Sequence, residues 1–266
     1  MSYWSQKNAV VIGGSRGLGL AISQKLVAAG ANVVLVARDE QTLASVSTAL
    51  GPTASHIKCD IKTQSEVDAL FEQLKARLSH LDACFHVTGK SARGAILDTS
   101  ADDFHQLMDL NFYSVVRCSQ YAAEWAAQSN GHLVLVGSLA SKTASRYLGA
   151  YPATKFALAA YAQQLRLELA DQGLHVLHVC TGPIKRDDAG RRYDDQAADL
   201  PEAARKAGGG VKLKAIGPDW LADRILQCCT RRKKELVVPW KAKILFAIAQ
   251  LSPDVGDWLL AKQTKN

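Results

Sequence analysis

Gly13-Gly14-Ser15-Arg16-Gly17-Leu18-Gly19 decides the fold of this chain, because it joins a strand pattern to a helix pattern. The run before it, Asn8–Ile12, is apolar and β-branched, and the run after it has the residue spacing of a helix. Glycines allow a tight turn and a close approach to a pyrophosphate, whose charge then lies at the helix N-terminus. The position of these glycines favours a dinucleotide-binding turn over an ordinary tight turn.

The same alternation of strand and helix continues along the chain. Short apolar runs predict the strands Asn8–Ile12, Asn32–Ala37, Ala54–Cys59, Leu81–Val87, His132–Gly137, Leu174–Cys180 and Glu235–Val238. Helical spacing between them predicts the helices Gly17–Ala29, Asp39–Leu50, Gln64–Leu78, Ala101–Gln128, Gly149–Asp171 and Pro218–Cys229. We therefore expect an α/β fold: a single doubly wound Rossmann-type domain over residues 1–266, with a seven-stranded, mostly parallel sheet and helices on both faces.

Composition argues against several classes of protein. The 266 residues are 48% hydrophobic and 21% charged, which is typical of a globular protein and not of a disordered one. No apolar run is long enough to span a bilayer and the polar start does not resemble a signal peptide, so a cytoplasmic location is expected. The six cysteines lack C-x-x-C spacing, which favours buried free thiols and no metal. The net charge of +7 comes without a nucleic-acid-binding motif, so no nucleic-acid partner is expected.

Tyr151-Pro152-Ala153-Thr154-Lys155 carries the predicted chemistry. Tyr151 and Lys155 are one helical turn apart, so their side chains share a face at about 6 Å from each other. A neighbouring ammonium lowers the pKa of a phenol, which makes the phenol usable as a proton donor near neutral pH. Ser138 lies upstream at the end of the predicted fifth strand, where doubly wound sheets bind ligands. Alone, the Tyr151–Lys155 spacing also fits an ordinary surface contact.

Together these motifs resemble the short-chain dehydrogenase/reductase family, in its NADP-preferring form, from about Asn8 to Val238. The resemblance rests on Gly13, Gly17, Gly19, Asp60, Asn111, Ser138, Tyr151, Lys155 and the turn Thr181-Gly182-Pro183. It implies interconversion of a ketone or aldehyde and an alcohol by hydride transfer, with Tyr151 as general acid or base. Ser138 would hydrogen-bond the substrate oxygen. Lys155 would lower the pKa of Tyr151 and bind the nicotinamide ribose, and Asn111 would position a water that feeds protons toward Lys155.

The resemblance also implies the cofactor site. Its expected residues are Gly13, Ser15, Arg16, Gly17, Leu18, Gly19, Arg38, Asp60, Ile61, Gly89, Tyr151, Lys155, Gly182, Pro183 and Ile184. Arg16 and Arg38 can converge on a 2′-phosphate, which favours NADP and makes NAD the less favoured cofactor. Asp39 stands at the distance where an acid would favour NAD, but it also fits the N-cap of the next helix. Asp60 resembles the family's adenine-contacting aspartate, with an ordinary helix-start acid as the alternative.

Besides Ile12 and Thr181, which replace the family's usual threonine and proline, two departures from the family pattern bear on the function. His86-Val87-Thr88-Gly89 replaces the family's Asn-Asn-Ala-Gly, and Arg186 stands where the family has a threonine near the nicotinamide. These departures weakly favour an alternative function, a catalytically idle NADP-binding sensor or scaffold protein. The histidines on strand patterns are predicted to be core or edge residues: His86, His175 and His178.

Two segments are expected to shape the substrate site. Pro183–Gly217 is polar and irregular, which after the sixth strand favours a lid over surface disorder. Residues 239–266 form a tail with a short apolar helix flanked by Trp240 and lysines. The tail resembles those of hydroxysteroid-dehydrogenase-like and lipid-ketone-reducing relatives, so a hydrophobic small-molecule substrate is expected. Such a helix can lie against a membrane surface, pack on a partner subunit or pack on its own domain.

An oligomer is expected from the same resemblance. The family commonly pairs the helices predicted at Ala101–Gln128 and Gly149–Asp171 across two-fold axes, which implies a homodimer or homotetramer.

Overall fold

The computed structural model describes residues 2–186, 193–206, 208, 210 and 213–263. At its centre is one seven-stranded sheet in the order β3-β2-β1-β4-β5-β6-β7. The strands are β1 (Asn8–Ile12), β2 (Asn32–Ala37), β3 (Ala54–Lys58), β4 (Ala83–His86), β5 (His132–Val136), β6 (His175–Thr181) and β7 (Glu235–Val238). Every pair of neighbours is parallel, so the sheet predicted to be mostly parallel is parallel throughout.

Helices cover both faces of the sheet. The α-helices of the described ranges are α1 (Gly17–Ala28), α2 (Glu40–Leu50), α3 (Gln64–Arg77), α4 (Ala101–Met108), α5 (Ser114–Ala127), α6 (Tyr151–Glu168), α7 (Glu202–Arg205), α8 (Pro218–Thr230), α9 (Ala242–Leu251) and α10 (Pro253–Gln263). Apolar side chains of α1, α2 and α8 pack on one face, and those of α3, α5 and α6 pack on the other. The predicted doubly wound α/β architecture is thus confirmed.

The order of the strands places the ligand site. The chain runs outward from β1 to β3 and then returns to β4 on the other side of β1. The crevice at such a reversal, outside the carboxyl ends of the strands, is where doubly wound sheets bind ligands. The register confirms a common edge, since Ile12 of β1 pairs with His86 of β4, and His86 pairs with Leu135 of β5.

Two helix predictions need correction. The helix predicted at Ala101–Gln128 runs from Ala101 to Ala127, but it contains a π-helical turn at Asp109–Tyr113, which divides it into α4 and α5. Such a turn admits an extra residue, and residue spacing alone does not reveal it. The helix predicted from Gly149 begins at Tyr151, because Gly149 has a φ of +50°, outside the helical region.

The predicted lid is more regular than expected, and the tail is helical, as expected. Ile184 and Ile216 form an isolated parallel bridge at the two ends of the lid, and α7 lies within it. Residues 187–192, 207, 209, 211 and 212 of that segment lie outside the described ranges. The tail forms α9 and α10, which pack on each other. None of the helices in the described ranges has both the length and the apolar character that a bilayer crossing requires.

Candidate active site

The carboxyl ends of the strands open into a long cleft of about 1020 Å³. Of the residues predicted for the site, the cleft brings together Gly13, Ser15, Arg16, Gly17, Leu18, Gly19, Arg38, Asp60, Ile61, Gly89, Ser138, Tyr151, Lys155, Gly182, Pro183 and Ile184. Asn111 is the exception: it is fully buried and hydrogen-bonds to the cleft residue Lys90. Arg186, which departs from the family pattern, also lines the cleft.

The glycine turn forms one end of the cleft and has no room for side chains. Gly13 has a φ of +88°, and a Cβ on it would lie 2.8 Å from Thr88 Oγ1. A Cβ on Gly19 would overlap the carbonyl oxygen of Gly13. No side chain caps the N-terminus of α1, and its first turn holds no acidic residue. The amides and the positive end of the helix dipole therefore face the cleft, as an anion requires.

The next part of the cleft contains two arginines and an aspartate. Arg16 donates from Nη2 to Asp39 Oδ2 at 2.7 Å and to Thr42 Oγ1 at 3.0 Å. Asp39 caps α2 by accepting from the Thr42 amide at 3.1 Å, as predicted. The hydrogen bonds from Thr42, and then the Arg16 guanidinium, lower the pKa of Asp39. Arg16 is thus engaged with Asp39, a departure from the expected convergence of Arg16 with Arg38.

Ser138 lies where β5 ends and caps a short 3-10 turn, Leu139–Ser141. Its Oγ accepts a hydrogen bond from the Ala140 amide at 3.1 Å. Its own amide donates to Ser141 Oγ at 3.2 Å. Because the turn occupies an acceptor site of the Ser138 oxygen, the hydroxyl hydrogen is left to donate to a group in the cleft.

Tyr151 and Lys155 lie on the first turns of α6, with Pro152 in the first turn. The Lys155 Nζ atom is 5.9 Å from the centroid of the Tyr151 ring. It donates to the carbonyl oxygen of Val136 at 3.3 Å. Lys155 is only 3% exposed, and its burial lowers the pKa of the ammonium to about 8. The fold therefore holds the amino group of Lys155 in the protein interior, at the wall of the cleft, where its positive charge is less stable than in water.

Asn111 lies on the π-helical turn and clamps the segment after β4. Its Oδ1 accepts from the Lys90 amide at 2.8 Å, and its Nδ2 donates to the Lys90 carbonyl at 2.8 Å. The same Nδ2 donates to Thr154 Oγ1 at 3.1 Å, which ties the clamp to α6. A Cβ on Gly89 would lie 3.3 Å from both Asn111 Oδ1 and Lys155 Nζ, so Gly89 lets these groups approach the backbone. The water-positioning role that the resemblance implies for Asn111 stays a prediction.

His86 replaces an asparagine of the family pattern and lies inside the sheet. It is 2% exposed, and burial, followed by the nearby Lys155 charge, lowers the pKa of its imidazole to about 3. Its Nε2 has no hydrogen-bond partner among the described residues. His175 and His178 are also buried in β6, so the three histidines predicted at core or edge positions lie in the core.

Arg93, a residue of the cleft wall that sequence reasoning missed, holds the segment predicted to be a lid. Arg93 is 7% exposed and donates from Nε to the Ala204 carbonyl at 2.6 Å and from Nη2 to the Lys206 carbonyl at 3.1 Å. Its guanidinium carbon lies 3.6 Å from the centroid of the Tyr193 ring. The Tyr193 hydroxyl forms a hydrogen bond with Ser91. No local pattern signals these contacts, because the partners are about a hundred residues apart in the sequence.

The tail contributes apolar side chains to the wall of the cleft. Phe246 of α9 is buried against Cys180 and Val237, and α9 therefore packs on its own domain. Leu245, Phe246 and Leu260 line the cleft. Sequence reasoning found the tail but did not place it in the cleft, since its apolar periodicity does not identify the surface it covers.

The described part of the chain contains two groups of metal-type ligands: His132, His175 and Cys229, all buried, and His178, Cys180 and Glu235, of which Glu235 is partly exposed. In the first, the two imidazoles hydrogen-bond to each other at 2.8 Å, and His175 Nε2 bonds to the Lys233 carbonyl at 2.9 Å. In the second, Lys142 pairs with Glu235 at 2.9 Å. Sequence spacing did not reveal the second group, because β7 supplies its carboxylate.

Replacing Lys155 tests how much the burial of its positive charge lowers the free energy of unfolding. The folded protein binds the Lys155 proton less tightly than the unfolded chain, so below pH 8 both states are protonated and folding bears the full cost of the charge. A pKa of about 8 instead of 10.5 corresponds to about 3 kcal/mol. Lys155→Met is expected to raise the free energy of unfolding of the cofactor-free protein by up to about this amount at pH 7, while removing activity.

The advantage of Lys155→Met should shrink as the pH rises. Between the two pKa values the folded wild type releases the proton that the unfolded chain keeps, which relieves the cost. Urea unfolding of both proteins at pH 7 and pH 10 measures the difference. A variant less stable than the wild type at pH 7 would contradict the prediction.

Comparisons with known proteins agree with this geometry. A family model described as short chain dehydrogenase matches residues 7–197. A fatty acyl-CoA reductase from Acinetobacter baylyi is 31% identical over 263 residues, covering 96% of this chain and 83% of that protein. The structure of L-sorbose reductase from Gluconobacter frateurii with NADPH and L-sorbose has a TM-score of 0.76 at 22% identity, covering 88% of this chain and 95% of that one. The structure of a variant of actinorhodin polyketide ketoreductase with NADPH has a TM-score of 0.78 at 22% identity, covering 90% and 97%.

Proposed function

Because the chain belongs to the short chain dehydrogenase family, we propose that it is an NADP-dependent enzyme interconverting a hydrophobic ketone or aldehyde and its alcohol. The family supports an oxidoreductase that transfers hydride between CH–OH and C=O groups. One observation carries the finer proposal: Ser138, Tyr151 and Lys155 line the same cleft as the glycine turn.

The cofactor site fits a dinucleotide. The uncapped N-terminus of α1 and the side-chain-free turn at Gly13 and Gly19 suit a pyrophosphate. We propose that the groups holding the cofactor are Gly13, Ser15, Arg16, Gly17, Leu18, Gly19, Arg38, Asp60, Ile61, Gly89, Tyr151, Lys155, Gly182, Pro183 and Ile184. Bound NADPH supplies the hydride for carbonyl reduction.

The chain's own residues handle the proton. Tyr151 donates its hydroxyl proton to the carbonyl oxygen of the substrate as negative charge develops there. Ser138 donates its free hydroxyl hydrogen to the same oxygen, and its turn holds that donor in place before the reaction. The Lys155 ammonium, fixed on the Val136 carbonyl, stabilises the phenolate that remains on Tyr151.

The preference for NADP is proposed from Arg38. Arg38 lines the cleft beside the Arg16–Asp39 pair, and a guanidinium forms charge-assisted hydrogen bonds to a 2′-phosphate. NADPH in the two solved structures named above supports the same choice. Since NADH has a hydroxyl at that position, Arg38 should matter little for NADH.

Arg38→Ala is therefore expected to weaken NADPH binding by about 10- to 100-fold, the loss typical of hydrogen bonds to a charged group. NADH binding should change by less than about twofold in the same variant. Titration calorimetry with both cofactors measures the two effects. Arg224→Ala, on the exposed side of α8, is the matched control and should change neither. Equal losses for NADPH and NADH would overturn the NADP assignment.

The substrate end supports a hydrophobic carbonyl compound. The described lining combines the tail residues Leu245, Phe246 and Leu260 with Leu139 and Leu148. Burial of an apolar chain against such a wall stabilises the complex by about 25 cal/mol for each Å² removed from water. The relative named as a fatty acyl-CoA reductase supports the same class.

Two further partners are proposed from exposed apolar residues. Tyr113, Phe156 and Leu167 are exposed on the π-helical turn and α6, which supports a homodimer or homotetramer paired through the helices expected to lie at two-fold axes. Trp240 and Trp258 of the tail are exposed, which supports peripheral contact with a membrane surface. Ultracentrifugation and sedimentation with anionic vesicles address the two partners separately.

Oxidation of NADPH with a panel of aliphatic and aromatic ketones and aldehydes tests the proposed activity. Turnover that increases with the apolar size of the carbonyl compound supports it. NADPH binding without turnover of any carbonyl would instead support the idle sensor or scaffold protein.

A further inference from the structure

The described carboxylates that line the cleft lie at one end of it. They are Asp39, which follows β2 and pairs with Arg16, and Asp60, which follows β3. These two strands form one edge of the sheet, next to β1 and its glycine turn. Among the described residues, no carboxylate therefore lines the part of the cleft that is away from β2 and β3, which we call the distal end.

The segment predicted to be a lid carries charges of both signs, but it contributes only one sign to the described cleft wall. Lys185, Arg186 and Arg205 line the cleft. Glu202 pairs with Lys206 at 3.4 Å, and neither of these two residues lines it. The other described carboxylates of the segment are also absent from the wall: Asp194, Asp195 and Asp199. The described part of the segment thus adds positive charge to the cleft and keeps its negative charge elsewhere.

Two attachments place Arg205 at the distal end. Arg93, which follows β4, donates to the main-chain carbonyls of the residues on either side of Arg205, at 2.6 and 3.1 Å. Three residues further along, the Gly208 carbonyl accepts from Ser145 Oγ at 2.8 Å. Ser145 belongs to the loop between β5 and α6, and this loop begins with Ser138. Arg205 therefore lies on the side of the cleft where the substrate oxygen is proposed to bind.

Lys241 lies at the opposite edge of the sheet from the proposed phosphate sites of the cofactor. It follows β7, whereas Arg38 follows β2 and the glycine turn follows β1. In the order of the strands, β7 is five places from β2 and four from β1. Neighbouring strands are about 4.8 Å apart, so these separations are about 24 and 19 Å. The four-carbon side chain of a lysine does not span such a distance, and Lys241 is therefore not a ligand of those phosphates.

Both cations are available to a ligand. Arg205 and Lys241 are exposed, and neither forms an ion pair with a carboxylate of the described residues. The tail residues Leu245 and Leu260 line the same cleft. Positive charges in a cleft with low-dielectric walls attract anions strongly, because the walls focus the field. The distal end thus combines an apolar wall with cations that the cofactor does not need.

We propose that the substrate carries an anionic group in addition to its apolar chain and its carbonyl group, and that Arg205 and Lys241 bind this anionic group. The proposal rests on the proposed function, since it assigns the substrate class of the same site. The recognised chemistry is an oxyanion, such as a carboxylate, joined to the carbonyl group by an apolar chain.

Pairs of synthetic substrates test this proposal in the wild-type protein. Each pair is a methyl ketone whose methylene chain ends in a carboxylate, together with the methyl ester of the same acid, in chains of four, eight and twelve methylene groups. With NADPH, kcat/KM for the best acid is expected to exceed that for its ester by at least about fivefold at low salt, because a hydrogen bond to a charged group is made only by the acid. The preference should shrink between about 0.05 M and 1 M NaCl, since salt screens exposed charges.

A matched pair of double variants assigns the effect to the two residues. Arg205→Gln with Lys241→Gln removes two positive charges from the cleft wall. Lys206→Gln with Lys243→Gln removes two from the same segments at positions that do not line the cleft. The first variant is expected to lose the preference for the acid, with kcat/KM for the ester and NADPH affinity within about twofold of the wild type. The control should keep the preference within about twofold.

The inference is wrong, while the proposed function stands, if the wild type reduces the esters at least as well as the acids at every chain length. It is also wrong if the Arg205 and Lys241 variant keeps the preference, or if the control loses it equally, since net charge would then be the cause. A loss of NADPH affinity in the first variant alone would assign the two cations to the cofactor. If the wild type reduces neither acids nor esters, the proposed function fails and the inference fails with it.

Discussion

Tyr151→Phe is expected to lower kcat for carbonyl reduction by about 10²- to 10⁴-fold, the range typical of a lost general acid. The substitution removes one oxygen and keeps the ring that packs at the start of α6, so the fold should be unchanged. NADPH affinity should stay within about threefold of the wild type, because Lys155 and the glycine turn remain. Stopped-flow oxidation of NADPH measures the first effect, and fluorescence titration measures the second.

Tyr147→Phe is the matched control for this experiment. Tyr147 precedes α6 by a few residues and does not line the cleft, so its kcat should stay within about twofold of the wild type. If Tyr151→Phe retains activity, Tyr151 is not the proton donor. If kcat falls equally in Tyr151→Phe and Tyr147→Phe, the cause is a structural change at the start of α6 and not the loss of a proton donor.

Gly19→Ala is expected to disrupt the cofactor turn. Helix propensity alone would favour alanine by about 1 kcal/mol, since Gly19 lies in α1. The new methyl group, however, would overlap the carbonyl oxygen of Gly13 and force the turn away from α1. Overpacking of this kind typically lowers the free energy of unfolding by about 1–3 kcal/mol. The amides that this change displaces are the ones proposed to bind the pyrophosphate. NADPH affinity should therefore fall by at least about tenfold.

Gly217→Ala separates this contact from the general effect of replacing glycine. Gly217 precedes α8, has a φ of −66°, and a Cβ there would meet no atom within 4 Å. Its unfolding free energy should change by less than about 1 kcal/mol, with NADPH affinity unchanged. Thermal unfolding and titration with NADPH compare the two variants. Gly19→Ala that is as stable as Gly217→Ala would show that the turn has room to relax.

The parts of the molecule that local patterns determine were predictable. The glycine turn follows β1 and opens α1, and both neighbours have a clear residue periodicity. The i,i+4 spacing of Tyr151 and Lys155 survives in the structure because the helix geometry fixes it. That helix begins at Tyr151 and not at Gly149, because Gly149 adopts a positive φ, and it ends at Glu168, three residues before the predicted end.

Contacts between distant segments were not predictable from one sequence. The π-helical turn at Asp109–Tyr113 exists where Asn111 reaches the Lys90 backbone, and nothing in the local spacing marks that partner. Glu235 reaches His178 only because β7 pairs with β6. Burial also changes the chemistry: His86 and Lys155 have ordinary side chains in the sequence, and the interior lowers the pKa of each.

The two hydrogen bonds from Arg93 to the segment predicted to be a lid do not depend on which side chains that segment carries. Arg93 donates to the main-chain carbonyls of Ala204 and Lys206, and every residue type carries such an acceptor. Substitutions on the lid therefore leave these two hydrogen bonds available, provided that the backbone path is kept. Side chains of this segment other than Tyr193, which packs on Arg93, can therefore change while these two main-chain hydrogen bonds are preserved.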